Sequence, residues 1–289
     1  MKAAPDARTH AARPEDLPAW IDTLPTLFIV GCPRSGTTWI QRMLLSLDGV
    51  VGGEESHFFA AFAPALRSYD AAAAAPRRVG LCRYIEREDF LREMRRLWGV
   101  LQAPLVEASE APQLLVEKTP GHVRYAAEID TLFPRSHFLH VVRDGRAVAA
   151  SLMAASRGWG RTWAPKRIGG AARMWKDHVE AGLAIRAQVG DERYLELRYE
   201  DLQVDAAGRL RAVARFAGLD PGDEAIENAV QRNEAAVVRA GDGEASWADE
   251  PAGFLRQAEP DAWRAELNAW QRWKFRFYAG DLLGRLGYR

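Results

Sequence analysis

The stretch Gly31-Cys-Pro-Arg-Ser-Gly36-Thr37-Thr38 combines two glycines, an arginine and three hydroxyl side chains within eight residues. That set suits a phosphate. Successive backbone N–H groups can wrap an anion, a helix beginning just after them adds about half a positive charge, and Ser35, Thr37 and Thr38 supply further donors. In nucleoside triphosphatases a lysine follows the second glycine and reaches the γ-phosphate. Here that position is Thr37 and the cation stands upstream, at Arg34, which points to a donor without a γ-phosphate. The plainer alternative is that Gly31 and Gly36 only shape a tight strand-to-helix turn. A cysteine-phosphatase chemistry at Cys32 would need an arginine six positions on, where the chain has Thr38; Cys32 reads instead as a small packed residue.

Three further groups could act with this loop. Gly53-Glu54-Glu55-Ser56-His57 offers carboxylates and an imidazole as proton acceptors, and Lys118 and Arg143 each end a short apolar run. A solvated turn is the plainer alternative for Glu55, Glu54 and His57 are rival bases, and Lys118 could be a surface lysine paired with Glu117. His122 reads as a local cap or packing residue.

The elements that must position these groups alternate. Thr26–Val30 reads as a buried strand, and Ile40, Met43, Leu44 and Leu47 as the apolar face of a helix. Val50–Val51, Leu114–Val116, His137–Val142 and Tyr194–Leu197 read as further strands, with helices at 145–155 and 206–217. The expectation is an α/β fold: a P-loop-type, mostly parallel sheet flanked by helices, with ligands at the carboxyl ends of the strands. Residues 1–289 form a single domain on this reading, with 1–24 as an N-terminal extension and 58–105 as a helical insertion broken at Ala71–Pro76. Four of the ten tryptophans fall near the C-terminus, at Trp247, Trp263, Trp270 and Trp273, and are expected to pack a terminal helix.

Lysine plus arginine balance aspartate plus glutamate at 39 each, so no global field draws the chain to nucleic acid or an anionic membrane. Any anion specificity must be local. No signal-peptide core and no membrane-length apolar run is present, and the two cysteines, Cys32 and Cys82, fit a reducing compartment. A cytoplasmic location is the expectation.

Several separated motifs together resemble the sulfotransferases that use 3′-phosphoadenosine-5′-phosphosulfate (PAPS). Pro33-Arg34-Ser35-Gly36-Thr37-Thr38-Trp39 is similar to the family's loop for the 5′-phosphosulfate, and Val142-Arg143-Asp-Gly-Arg-Ala-Val-Ala-Ala-Ser151 to its 3′-phosphate site. The resemblance implies that Arg143 and Ser151 share that phosphate. Gly145, Ala147, Ala149 and Ala150 would keep the helix start slender enough for an anion to approach. Gly53-Glu54-Glu55-Ser56 and Glu117-Lys118-Thr119-Pro120 look most like the tyrosylprotein and related bacterial branch, which implies Glu55 as the base. Pro120 stands where the steroid and phenol enzymes carry a histidine, so their mechanism is not implied. Tyr199 resembles an adenosine-site contact, and Arg256, before Trp263, resembles part of a C-terminal 3′-phosphate signature that has lost its lysine and glycines.

The implied reaction is an in-line displacement, with Arg34, Lys118 and the loop N–H groups neutralising charge while Glu55 takes the acceptor's proton. No metal is expected, since a sulfonate carries less charge than a γ-phosphate and His137 and His140 point to opposite faces of a strand. The product would be 3′-phosphoadenosine-5′-phosphate (PAP). The acceptor is a small molecule, a glycan or a peptide, bound against residues 58–101 and the basic, aromatic loop 158–167. A divergent P-loop kinase and a non-catalytic nucleotide-binding module are the competing readings.

Overall fold

The computed structural model describes residues 17–234 and 261–288. Five strands, β1 (Thr26–Gly31), β2 (Val50–Gly52), β3 (Leu114–Lys118), β4 (His137–Val142) and β5 (Tyr194–Arg198), form one sheet in the order β2-β3-β1-β4-β5. Every pairing is parallel, with Phe28 beside Glu117 on one side and Phe138 on the other. The fold is therefore the expected helix-flanked parallel sheet.

Period-2 alternation divides β1 between two cores. Phe28 and Val30 join Phe138, Phe59, Trp98 and Ile185 on one face, while Leu27 and Ile29 join Leu139, Val141, Ile40 and Leu210 on the other. Burying each such side chain contributes about 1.5–3 kcal/mol. The first face is covered by α2 (Phe58–Ala74), α3 (Arg87–Glu107), α4 (Ala126–Leu132) and part of α6 (Ile168–Val189). The second is covered by α1 (Thr37–Leu45), α8 (Ala206–Phe216) and α9 (Asp223–Arg232), with α7 (Tyr199–Val204) following β5 directly. A third cluster joins α5 (Gly145–Ala155) and α6 to α10 (Trp263–Glu266) and α11 (Ala269–Arg285). The start of α11 is fixed by a capping box between Asn268 and Gln271.

Three details differ from expectation. The helix over 58–74 runs through most of the alanine tract, so the break lies after Ala74 rather than at Ala71. The 22-residue helix α6 follows directly on the 158–167 loop, where no helix was expected. Of the C-terminal tryptophans, Trp263 is buried, but Trp270 and Trp273 are exposed on α11, and Trp247 lies outside the described residues. Among the described residues no helix is long and apolar enough to cross a membrane.

Candidate active site

In this strand order the connection from β1 runs to β2 at one edge and the connection from β4 runs to β5 at the other, so a crevice opens at the carboxyl ends of the neighbouring strands β1 and β4. The Gly31–Thr38 loop fills that crevice. Ser35 N–H closes a turn on Cys32 O at 3.1 Å, and Arg34 is held at φ 75°, a left-handed conformation rare for a residue with a side chain. Gly36, at φ 95°, immediately precedes α1. A Cβ there would stand 2.3 Å from Tyr199 Cδ2, so glycine lets the loop lie directly on that ring.

Groups distant in sequence converge on the loop. Arg34 Nε donates to Ser151 Oγ at 3.0 Å, and Arg143 Nη1 donates to the Arg34 carbonyl at 3.2 Å. The Arg143 guanidinium carbon sits 4.1 Å from the centre of the Tyr199 ring, a cation–π contact that orients both. Burial raises the Tyr199 phenol above its ordinary value despite Arg143 beside it. Trp39 meets Tyr199 edge-on and donates its indole N–H to Asn233 O at 3.0 Å. Thr37 and Thr38 are buried in the first turn of α1, with Pro33 in the loop before them.

Two donors in this cluster, Ser35 Oγ and Arg143 Nε, are buried without a hydrogen-bond partner. Such groups cost about 1–3 kcal/mol each if left unsatisfied, and an anion carrying several acceptor oxygens fits the need. Cys32 is fully buried among apolar side chains, and burial drives its thiol far above the normal range, as befits a packing residue rather than a nucleophile. Arg256 lies outside the described residues.

The start of α5 works differently from expectation. Its N-cap Asp144 accepts the Arg146 N–H at 2.8 Å and also pairs with the Arg146 guanidinium, while Glu200 Oε1 accepts the Asp144 N–H at 2.9 Å. Carboxylates already occupy this helix terminus. Gly145 is small because a Cβ would lie 2.6 Å from both Trp175 and Phe275, and Ala149 is fully buried. Close packing by itself accounts for the glycine at 145. The Arg143 backbone is held by the same contact region, since Trp175 Nε1 donates to Arg143 O at 3.0 Å.

Beyond β2 and β3 a second cluster forms. Lys118 Nζ donates to Glu55 Oε1 at 2.8 Å, with Lys118 4% and Glu55 35% exposed. His57 Nε2 lies 3.5 Å from Glu55 Oε2, whereas Glu54 is turned outward onto Arg42 at 3.1 Å. Glu117 does not pair with Lys118. Its carboxylate accepts from Ser56 Oγ at 2.8 Å and Thr119 Oγ1 at 2.7 Å, and meets His122 Nδ1 at 2.9 Å. Burial opposes ionisation of Glu117, but the His122 imidazole and these hydrogen bonds outweigh it and hold the carboxyl below the usual range. Because Phe59 N–H is directed at His122 Nε2 at 3.3 Å, the imidazole proton is assigned to Nδ1, facing Glu117. This network ties the Glu55 turn and the start of α2 to β3. Among the described residues no group of three or more His, Cys, Asp or Glu is gathered as a metal site.

Sequence reasoning placed the loop, Arg143, Ser151, Tyr199, Glu55 and Lys118, and the fold brings them to one edge of the sheet. It missed Asp144, Glu200 and Trp175, which fix the backbone from Arg143 to Arg146. Their contacts span 32–56 residues of chain, and only Asp144, an N-capping type just before a helix, carried a local signal.

Comparison with known proteins agrees with this geometry. A family profile described as "Sulfotransferase family" matches residues 25–223, and the chain belongs to that family. Protein-tyrosine sulfotransferase 2 of Gallus gallus is 24% identical over 217 residues, covering 71% of this chain and 54% of that protein. Protein-tyrosine sulfotransferase A of Caenorhabditis elegans is 23% identical, covering 71% and 53%. The chain thus spans about half the length of these curated relatives. Among solved structures, mouse sulfotransferase SULT7A1 complexed with PAP has a TM-score of 0.58 at 14% identity, covering 93% of this chain and 89% of that one. The sulfotransferase domain from the curacin biosynthetic pathway has a TM-score of 0.56 at 18% identity, covering 90% and 98%. At these identities the structural likeness establishes the fold.

Proposed function

We propose that the protein transfers a sulfuryl group from PAPS to a hydroxyl or amine of an acceptor. The reading rests above all on Arg34, whose guanidinium reaches Ser151 while its carbonyl receives Arg143. One residue thereby joins the phosphate loop to the second basic site. A donor with two separate anionic ends, the 5′-phosphosulfate and the 3′-phosphate, needs both sites at once. Pro33, Ser35, Gly36, Thr37, Thr38 and Trp39 would line the first, Arg143, Ser151 and Arg256 the second, and Tyr199 would lie against the adenosine. PAP in the structure of mouse sulfotransferase SULT7A1, which shares this fold, supports the choice of donor.

When bound, the donor supplies the sulfuryl group; the chain's residues position it and stabilise charge. Arg34 and the loop N–H groups face charge that builds on the leaving phosphate. An ammonium has three N–H donors, and Glu55 accepts one from Lys118, which leaves two for oxygens of the transferring group. The same ion pair orients Glu55, with Oε2 left to accept the acceptor's proton. His57, exposed and 3.5 Å from that oxygen, stands beside the base. The helices over 58–105 and the 158–167 loop would form the acceptor's walls.

Replacing Glu55 by glutamine keeps a partner for Lys118 but removes the base. Turnover of PAPS with a panel of phenols, saccharides and tyrosine peptides is expected to fall by about 10²–10⁴-fold with unchanged PAP affinity. Near-full turnover in a folded Glu55→Gln protein would exclude Glu55 as the base.

A further inference from the structure

The loop between α5 and α6 sends one aromatic side chain back onto the phosphate loop. The Arg34 guanidinium carbon lies 5.3 Å from the centre of the Trp159 ring, while its Nε–H points to Ser151 Oγ at 3.0 Å. Arg34 is thus held between an indole face and a hydroxyl, on a backbone at φ 75°. Trp159 is itself half-buried and packs on Trp163, with ring centres 5.5 Å apart. Trp163 is 42% exposed, so the aromatic pair runs from the phosphate loop outward to solvent.

We infer that Trp159 is a positioning residue for Arg34: its indole fixes the guanidinium across Ser151, in the direction that serves the donor. The physical argument concerns entropy. An arginine side chain has four rotatable bonds, and ordering them costs rotamer freedom. A ring face against the guanidinium narrows the positions it samples around the Ser151 line, so less freedom is lost each time a donor binds. An aromatic face removes the freedom beforehand, and a flat guanidinium stacks on it without losing its in-plane N–H donors. The requirement is for a ring, not for the indole N–H, so phenylalanine should serve in its place while alanine should not. The inference rests on the donor-site reading for its functional meaning, but the positioning itself is a property of the free protein.

Two measurements separate these levels. In the free protein, the Arg34 Nε–H resonance, assigned by its loss in Arg34→Lys, should show a ring-current shift and slow exchange with water. Trp159→Ala should abolish the shift and speed exchange several-fold, and Trp159→Phe should preserve slow exchange. In metal-free calorimetry, Trp159→Ala should weaken PAP binding by about 5- to 20-fold, Trp159→Phe should restore it to within about threefold, and the alanine effect should vanish in an Arg34→Ala background. An Arg34 Nε–H indifferent to Trp159→Ala, or an equal affinity loss with and without Arg34, overturns the inference. Wild-type protein that fails to bind PAP while the resonance behaves as described would instead overturn the donor reading and leave the positioning role intact.

Discussion

At the scale of single residues, the site depends on close approaches that tolerate no added atoms. Gly36 is the sharpest case, because a methyl group there would meet the Tyr199 ring at 2.3 Å and the backbone is left-handed at φ 95°. Gly36→Ala should therefore cost about 1–3 kcal/mol in urea unfolding and weaken PAP binding by displacing Tyr199 from beneath Arg143. Wild-type stability and affinity in that variant would mean the loop does not lie on the ring as described. Much of this chemistry was legible in the chain itself. Lys118 and Arg143 stood out because each ends a short apolar run, where a parallel sheet presents its ligand edge, and Arg34 because it lies between the two glycines of the loop. Orientation was not legible: the Lys118–Glu55 pair crosses 63 residues and Arg34–Ser151 crosses 117, and no local pattern distinguishes Glu55 bound to Lys118 from Glu54 bound to Arg42. The glycine that opens α5 was visible but the packing of Trp175 and Phe275 against it was not, since a small residue reads alike whether a ligand or a tryptophan approaches it.

At the scale of elements, β1, β3 and β4 were readable because each is a short, largely apolar run buried on both faces. Helix α6 was not, because Gly169, Gly170 and Gly182 lower its intrinsic helix propensity. Tertiary packing accounts for two of those glycines: a Cβ at Gly169 would meet Tyr278, and one at Gly182 would lie 2.2 Å from His140. That last contact has a measurable consequence. His140 on β4 is wholly buried, touches Tyr194 OH through Nδ1, and has no partner at Nε2. Burial, with the nearby His178, lowers its pKa from 6.5 to about 3. A histidine depressed in the folded state binds fewer protons there than in the unfolded chain. Its contribution to stability is thus complete above pH 6.5 and is lost progressively as pH falls toward about 3. His137 and His178, also lowered chiefly by burial, act with the same sign. Unfolding free energy should decline as pH drops from 6.5 to 4.5, and His140→Leu should show a shallower decline. An unchanged slope in that variant would remove His140 as a source.

At the scale of the whole molecule, a chain with no net formal charge is proposed to hold a multiply charged donor. It can do so because cations gather at one edge of one sheet, while among the described residues many other arginines pair with carboxylates, as in Arg87–Asp70 and Arg193–Asp130. The sulfotransferase family match covers residues 25–223, which includes the loop, Glu55, Lys118, Arg143, Ser151 and Tyr199. Specificity for the acceptor belongs to the helices and loops that rise above this edge, where one sequence carries few distance constraints. The two anionic ends of the donor make the central claim directly measurable. Metal-free calorimetric titration with PAP, beside 5′-AMP and ATP, should give micromolar binding to PAP, far weaker binding to 5′-AMP, and at least about tenfold loss in Arg143→Ala, the penalty expected for removing one charge-assisted contact. Equal affinity for 5′-AMP and PAP, or a preference for ATP that appears only with magnesium, would contradict the sulfotransferase account and favour a kinase.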